Sequence, residues 1–303
     1  MVLISPSRAR SYVTSPAIGL ERAVKQLGVQ GLALTPPIRE GYAPSLTTLA
    51  REGYDLVFAV GAEQANDVVH VARMFPHTRF AIIDVSIHDL RARPPNNLIG
   101  LVFREQEVGY LAGYLAALME DRRRRPHVVS TVGGWPVPPV QRYIAGFQAG
   151  ARRADPRIRL LNDYGDDFSN TDICRRLALE QIAKGSGVVF QVAGGCGLGA
   201  LEAARASHVF GIGVDVDQSY LGRSILTSAM KRWDRAVLQT VQRLQAGTLP
   251  RAGDVVFGRR GGDLALGRIS PDVPGPIVKR VEALERAMAA GRIRHIPTTP
   301  FVR

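Results

Sequence analysis

Three groups of residues in this sequence have types and spacing suited to chemistry. The first is a glycine loop, Gly194-Gly195-Cys196-Gly197-Leu198-Gly199, set between an apolar run and a helical pattern. Glycines there let backbone N–H groups approach a bound molecule, and the start of a helix favours partial negative charge. Asp215 lies 20 residues after Gly195, where a dinucleotide-binding fold would carry its ribose-binding acid. The spacing, however, is Gly-x-Gly-x-Gly rather than Gly-x-Gly-x-x-Gly, and the loop comes late in the chain. A tight strand-to-helix turn whose Gly194 and Gly195 touch a ligand fits better than a nucleotide cofactor.

The second group is acidic. Asp84 follows the apolar run 80–83, and Asp215 and Asp217 follow the run 209–214. Ionised carboxylates at strand ends accept hydrogen bonds from a polyol. Metal binding or acid–base catalysis would need a partner histidine or a nucleophile, and none stands nearby in sequence; a turn or helix-cap role stays open for each acid. The third group is aromatic: Tyr12, Trp135 and Phe168 fall in predicted loops, where two rings can sandwich a flat ligand, with packing inside the loop as the alternative. The six histidines form no cluster, and no nucleophile-elbow, Walker-type or His-Glu-x-x-His signature occurs. No catalytic residue, metal or cofactor is expected, so the chain reads as a binder and not an enzyme.

These residues sit on a regular scaffold. Short apolar runs at 2–4, 56–60, 80–83 and 98–103 alternate with helical patterns at 17–27, 65–74 and 107–119. A second cycle follows, with runs at 128–132, 158–161, 188–192 and 209–214 and helices at 140–151, 172–183 and 199–206. Continuous β-branched runs between helices indicate parallel strands covered on both faces. Two such sets indicate an α/β chain with two doubly wound lobes. The boundary is expected near 122–126, a helix at 231–244 returns to the first lobe, and a glycine-rich turn region at 258–267 precedes a helix at 276–290. The expected division is 1–124 plus about 228–256 for the first lobe and 125–227 plus about 257–303 for the second. Ligands of open parallel sheets sit beyond the carboxyl ends of the strands. That rule selects the loops 5–14, 61–64, 84–86, 133–139, 164–170, 194–199 and 215–218, which two facing lobes would gather around one cleft.

Composition narrows the class. The chain has 303 residues, enough for two domains, each with its own core. No apolar run approaches the ~20 residues of a membrane helix. The net charge of +12 comes almost wholly from scattered arginines, with one run at 122–125. No nucleic-acid-binding motif accompanies them, so a solvated basic surface is expected and no nucleic-acid partner. Cys174 and Cys196 lack metal-ligand spacing; two small buried thiols are expected, with a disulfide left open. Met1-Val2-Leu3-Ile4 reads directly as a first strand, which leaves open a leader already removed, a start further upstream or a cytoplasmic protein.

Five segments together resemble the basic membrane protein family of ABC-transporter receptors. They are residues 97–118 (NLIGLVFREQEVGYLAGYLAAL), 133–147 (GGWPVPPVQRYIAGF), 190–199 (FQVAGGCGLG), 213–218 (GVDVDQ) and 226–234 (LTSAMKRWD). The resemblance covers nearly the whole chain. It implies a type I periplasmic-binding-protein fold, a nucleoside-like ligand in an interlobe cleft, an ABC permease as membrane partner, and a lipoprotein held outside the cytoplasm at the plasma membrane. A Rossmann-type enzyme and a cytoplasmic ligand-sensing regulator are the alternatives.

Carried over residue by residue, the family's ribose-binding acid falls on Asp215, its Thr-Ser-x-x-Lys lysine on Lys231, the acid after its Ile-Ile-Asp strand on Asp84, and its stacking phenylalanine on Phe168. In the first loop Tyr12 keeps an aromatic, but Val13 replaces an asparagine and Ala9 an aspartate. The resemblance therefore implies a preserved ribose half and an altered base half of the site.

Overall fold

The computed structural model describes residues 2–4, 10–34, 41–122 and 127–301, with side chains from Ser15 onward. In chain order the elements are β1 (Val2–Ile4), α1 (Arg10–Leu27), β2 (Leu32–Leu34), α2 (Ala43–Arg51), β3 (Leu56–Val60), α3 (Ala65–Met74), β4 (Arg79–Ile83) and β5 (Leu98–Phe103). They continue with α4 (Glu105–Glu120), β6 (Val128–Gly133), α5 (Pro138–Ala154), β7 (Arg159–Tyr164), α6 (Thr171–Ala183), β8 (Val188–Val192), α7 (Gly197–Ala206) and β9 (Phe210–Asp215). The chain ends with β10 (Ile225–Lys231), α8 (Trp233–Gln245), β11 (Gly253–Phe257), β12 (Leu264–Leu266) and α9 (Gly275–Ala289).

These elements form two compact units, residues 1–103 with 232–257 and residues 104–231 with 258–303. The first unit holds a six-stranded sheet in the order β11-β5-β4-β3-β1-β2, parallel throughout. The second holds the order β12-β10-β9-β8-β6-β7, parallel except for the edge strand β12, which runs antiparallel to β10. Both are doubly wound sheets. Their central strands are buried along their length, as in Leu56–Val60 and Val188–Val192, because helices cover both faces.

The boundary expected near residue 124 falls instead after Phe103, so α4 belongs to the second unit. Glycines explain this. A Cβ on Gly109 would stand 2.3 Å from the Tyr143 carbonyl, and one on Gly113 1.9 Å from that of Phe147. Reciprocally, Cβ atoms on Gly146 and Gly150 would collide with the carbonyls of Gln106 and Tyr110. Two Gly-x-x-x-Gly faces thus bring α4 and α5 together backbone to backbone, an approach that any side chain at these positions would block.

Other corrections are local. Residues 10–14, read as loop, already belong to α1. Lys231 ends strand β10 and does not open a helix; α8 starts at Trp233. The turn region 258–267 contains the short strand β12. Cys174 and Cys196 are not thiols but a disulfide, with Cα atoms 5.5 Å apart and both residues fully buried.

Candidate ligand-binding site

In a doubly wound sheet the place for a ligand is beyond the strand carboxyl ends, where neighbouring strands lead to helices on opposite faces. In the first unit that point lies between β1 and β3; in the second, between β6 and β8. The loop after β1 lies outside the described residues. Tyr12 falls in the first turns of α1, and its side chain, like that of Val13, is also outside them.

In the second unit three loops meet at this point. Trp135 follows β6 and is 49% exposed. Phe168 follows β7 and is half-buried. Its ring lies over Gly134, where a Cβ would come within 2.3 Å of the ring, and its carbonyl accepts from the Cys196 N–H at 3.0 Å. Gly194 follows β8 with φ +55°, a left-handed conformation that glycine adopts without cost, and packs against Phe168. Gly195, half-buried beside it, completes the turn into α7. Phe168, Gly194, Gly195 and Trp135 thus lie on adjacent loops.

The later glycines of that loop have a packing reason. A Cβ on Gly197 would meet the Gln191 side-chain oxygen at 1.9 Å, and one on Gly199 the Thr171 carbonyl at 1.9 Å. Both glycines are accounted for by this close packing.

Asp215 ends β9 with φ +67°, and Asp84 follows β4 with φ +66°. Left-handed backbone is uncommon outside glycine, though Asp tolerates it better than most. The same conformation at the same strand-end position in both units turns each carboxylate out of its strand. Asp84 is buried, and its Oδ1 accepts from the Trp233 indole N–H at 3.2 Å. The loop beyond it is fixed by Asp254, which accepts from the Ser86 hydroxyl at 2.5 Å and the Ile87 N–H at 2.9 Å. Asp215 is half-buried, with the Tyr143 hydroxyl 3.5 Å from its Oδ1; that hydroxyl also donates to the Ala229 carbonyl at 3.2 Å. Asp217 is a local cap. It accepts from the N–H groups of Ser219 and Arg268.

Lys231 is 2% exposed. Its ammonium donates to Glu105 Oε1 at 3.0 Å and stands 5.3 Å from the centre of the Tyr143 ring. Glu105, with no exposed surface, also accepts from Arg142 Nε at 2.6 Å. A carboxylate between two cations satisfies the rule that buried charges must be paired. With Asp215 beyond Tyr143, the cluster carries two positive and two negative groups.

Glu105, Tyr143, Arg142 and Trp233 were not anticipated. Glu105 falls just ahead of the helix expected at 107–119, and its lysine partner lies 126 residues away. The Trp233–Asp84 contact spans 149 residues. Sequence carries no local signal for either pair. Among the described residues, no group of three or more His, Cys, Asp or Glu side chains could hold a metal ion, and no helix is long and apolar enough to cross a membrane.

Comparisons with known proteins bear on the same residues. The sequence pattern of a family described as ABC transporter substrate-binding protein, PnrA-like (Bmp), matches residues 7–280. Basic membrane protein B of Borreliella burgdorferi is 32% identical over 76% of this chain and 67% of its own length. The CD4+ T-cell-stimulating antigen of Listeria monocytogenes is 28% identical over 96% of this chain and 85% of its own. Among solved structures, an ABC transporter solute-binding protein of Aeropyrum pernix superposes with a TM-score of 0.81 at 24% identity, covering 98% of this chain and 92% of that one. A transcriptional activator of the comK gene from Bacillus halodurans superposes at 0.82 with 21% identity, covering 97% and 100%.

Proposed function

From the premise that this chain belongs to the Bmp family of PnrA-like ABC transporter substrate-binding proteins, with the type I periplasmic-binding fold, we propose that it binds a nucleoside-like molecule and delivers it to a membrane permease. Family membership itself implies a small-molecule ligand and a permease. The finer reading rests above all on the matched pair Asp84 and Asp215. Each unit turns one carboxylate out of a strand end through a left-handed residue, an arrangement suited to accepting hydrogen bonds from ligand hydroxyls. Lys231 would donate from the same side as Asp215. Phe168, with Gly194 and Gly195 behind it and Trp135 at the rim, would form the wall for a flat ring. Tyr12 is the second ring-stacking aromatic in this reading. Val13 and Ala9, in place of polar residues, leave the ring edge less discriminated than the hydroxyls.

Among the described residues of this site no nucleophile is paired with a base, and the proposed activity is binding without turnover. The disulfide supports a location outside the cytoplasm, since such bonds persist in oxidising compartments. An uncharacterized lipoprotein of Pyrococcus horikoshii, 30% identical over 76% of this chain, supports tethering at the membrane. The likeness to a transcriptional activator keeps a ligand-sensing regulator as the second reading. Cell fractionation separates the two: recovery with membranes supports the receptor, recovery in the cytoplasm the regulator.

Titration calorimetry over inosine, guanosine, adenosine, cytidine, free sugars and amino acids tests the ligand class. Saturable heat with nucleosides, and their recovery unchanged, is expected. Tight binding of amino acids with no heat from any nucleoside overturns the reading.

A further inference from the structure

The ligand wall in the second unit is built from loops, and loops alone hold a ring poorly. Phe168 belongs to the segment between β7 and α6. Its ring rests on Gly134, and its carbonyl is held by the Cys196 N–H at 3.0 Å. At the start of this segment the Gly165 N–H donates to the Gly133 carbonyl at 2.9 Å. Further on, Asp167 accepts from Ser169 and Asn170, and Asn170 caps α6 by accepting from Asp172 at 3.1 Å.

The Cys174–Cys196 bridge joins both sides of this arrangement. Cys174 lies in the first turn of α6, just past the cap. Cys196 lies in the glycine turn, and it is its own N–H that holds Phe168. A Cβ built on Gly165 would lie 3.6 and 3.7 Å from the two sulfurs, so the start of the Phe168 loop also seats on the bridge. Both cysteines are fully buried behind the loops and do not themselves face a ligand.

We propose that this disulfide is a positioning element of the ligand site. It fixes the Phe168 loop against the Gly194–Gly195 turn before ligand arrives, so affinity depends on the bridge although neither sulfur touches the ligand. The inference rests on the reading of Phe168 as the ligand wall. Its physical content is preorganisation: a loop ordered in advance does not charge its ordering entropy to binding. The bridge also ties competence to compartment, because the wall is set only where the disulfide persists.

The test compares the wild type with the Cys174→Ala/Cys196→Ala double variant. Amide hydrogen exchange is read first, without ligand. Exchange at residues 165–170 and 194–197 should quicken about tenfold or more through local opening, while β6 and β8 lose only the protection that the fall in global stability accounts for. Unchanged exchange in the two loops overturns the proposal. So does a loss of protection in β6 and β8 beyond that global change, which would make the bridge a local support of the sheet and not of the loops. Calorimetry with inosine and adenosine comes second. The double variant should bind roughly tenfold more weakly, and in a Phe168→Ala background removing the bridge should cost little more, because the bridge acts through that ring. Loosened loops with unchanged affinity, or full additivity with Phe168→Ala, overturns the proposal. If the wild type binds no nucleoside, the functional reading fails, and the exchange result still decides whether the bridge fixes the loops.

Discussion

Asp84 and Asp215 share a backbone conformation but not a neighbourhood, and single substitutions should separate their roles. Asp215→Gly removes a carboxylate from a position where glycine is unstrained. The Tyr143 hydroxyl keeps the Ala229 carbonyl as acceptor. Apo stability should therefore stay within about 1 kcal/mol of the wild type, while nucleoside affinity falls by about 1–3 kcal/mol. Chemical denaturation and calorimetry on one preparation measure both; a large stability loss with affinity kept would make Asp215 a structural residue. Asp84→Gly should instead cost stability, about 1–3 kcal/mol, because the buried Trp233 N–H loses an acceptor. Glu105→Gln should be costlier still. It leaves Lys231 and Arg142 sharing a neutral amide in a fully buried place, and breaking a buried ion pair from one side costs about 3–5 kcal/mol. A urea midpoint barely moved from the wild-type value would show that the cluster is more hydrated than its burial implies.

Among the elements, α1 and α8 of the first unit carry the clearest pH signature. Asp234, in the first turn of α8, is nearly buried. Burial pushes its carboxyl pKa up, but hydrogen bonds and charge from Arg232 and the charge of Arg22 outweigh burial and hold it below the usual carboxylate range. Arg22 reaches it from α1 at 2.5 Å, and Arg232 donates two bonds at 2.9 Å. A carboxyl depressed in the folded state stabilises it fully above the unfolded pKa of about 3.9 and loses that contribution as pH falls through the folded value. The stability difference between the wild type and Asp234→Asn should therefore be flat above about pH 5 and shrink on acidification below about pH 4. Denaturation midpoints across an acid series give this curve; a difference that grows as pH falls contradicts it.

At the scale of the molecule, the disulfide closes a loop across a sequence separation of 22 residues in the second unit. Such a closure contributes about 3 kcal/mol by restricting the unfolded chain. The double cysteine variant should unfold at correspondingly lower denaturant, and the wild type, unfolded without reductant, should expose no thiol to a thiol-reactive dye. Two titratable thiols per chain would return the cysteines to the reading from sequence.

What the sequence determined by itself was the run of elements and where most of the strands end. Continuous apolar runs and helical spacing are short-range signals, and they located β3, β8, β9, α5 and α6, with Asp84 and Asp215 at the ends of their strands. The short edge strands β2, β11 and β12 escaped, because three to five residues with mixed burial carry too little pattern to stand out, and β10 escaped because Thr227 and Ser228 interrupt its apolar run. The tertiary structure alone decided which unit α4 joins, although the two Gly-x-x-x-Gly spacings were in plain view: a small-residue face shows that a helix has a close neighbour, not which one. It alone decided that Cys174 meets Cys196, that Lys231 is neutralised by Glu105, and that Asp84 receives Trp233. Each of those choices depends on where the chain returns after many residues, and sequence preferences, which act over a few residues, do not specify that return.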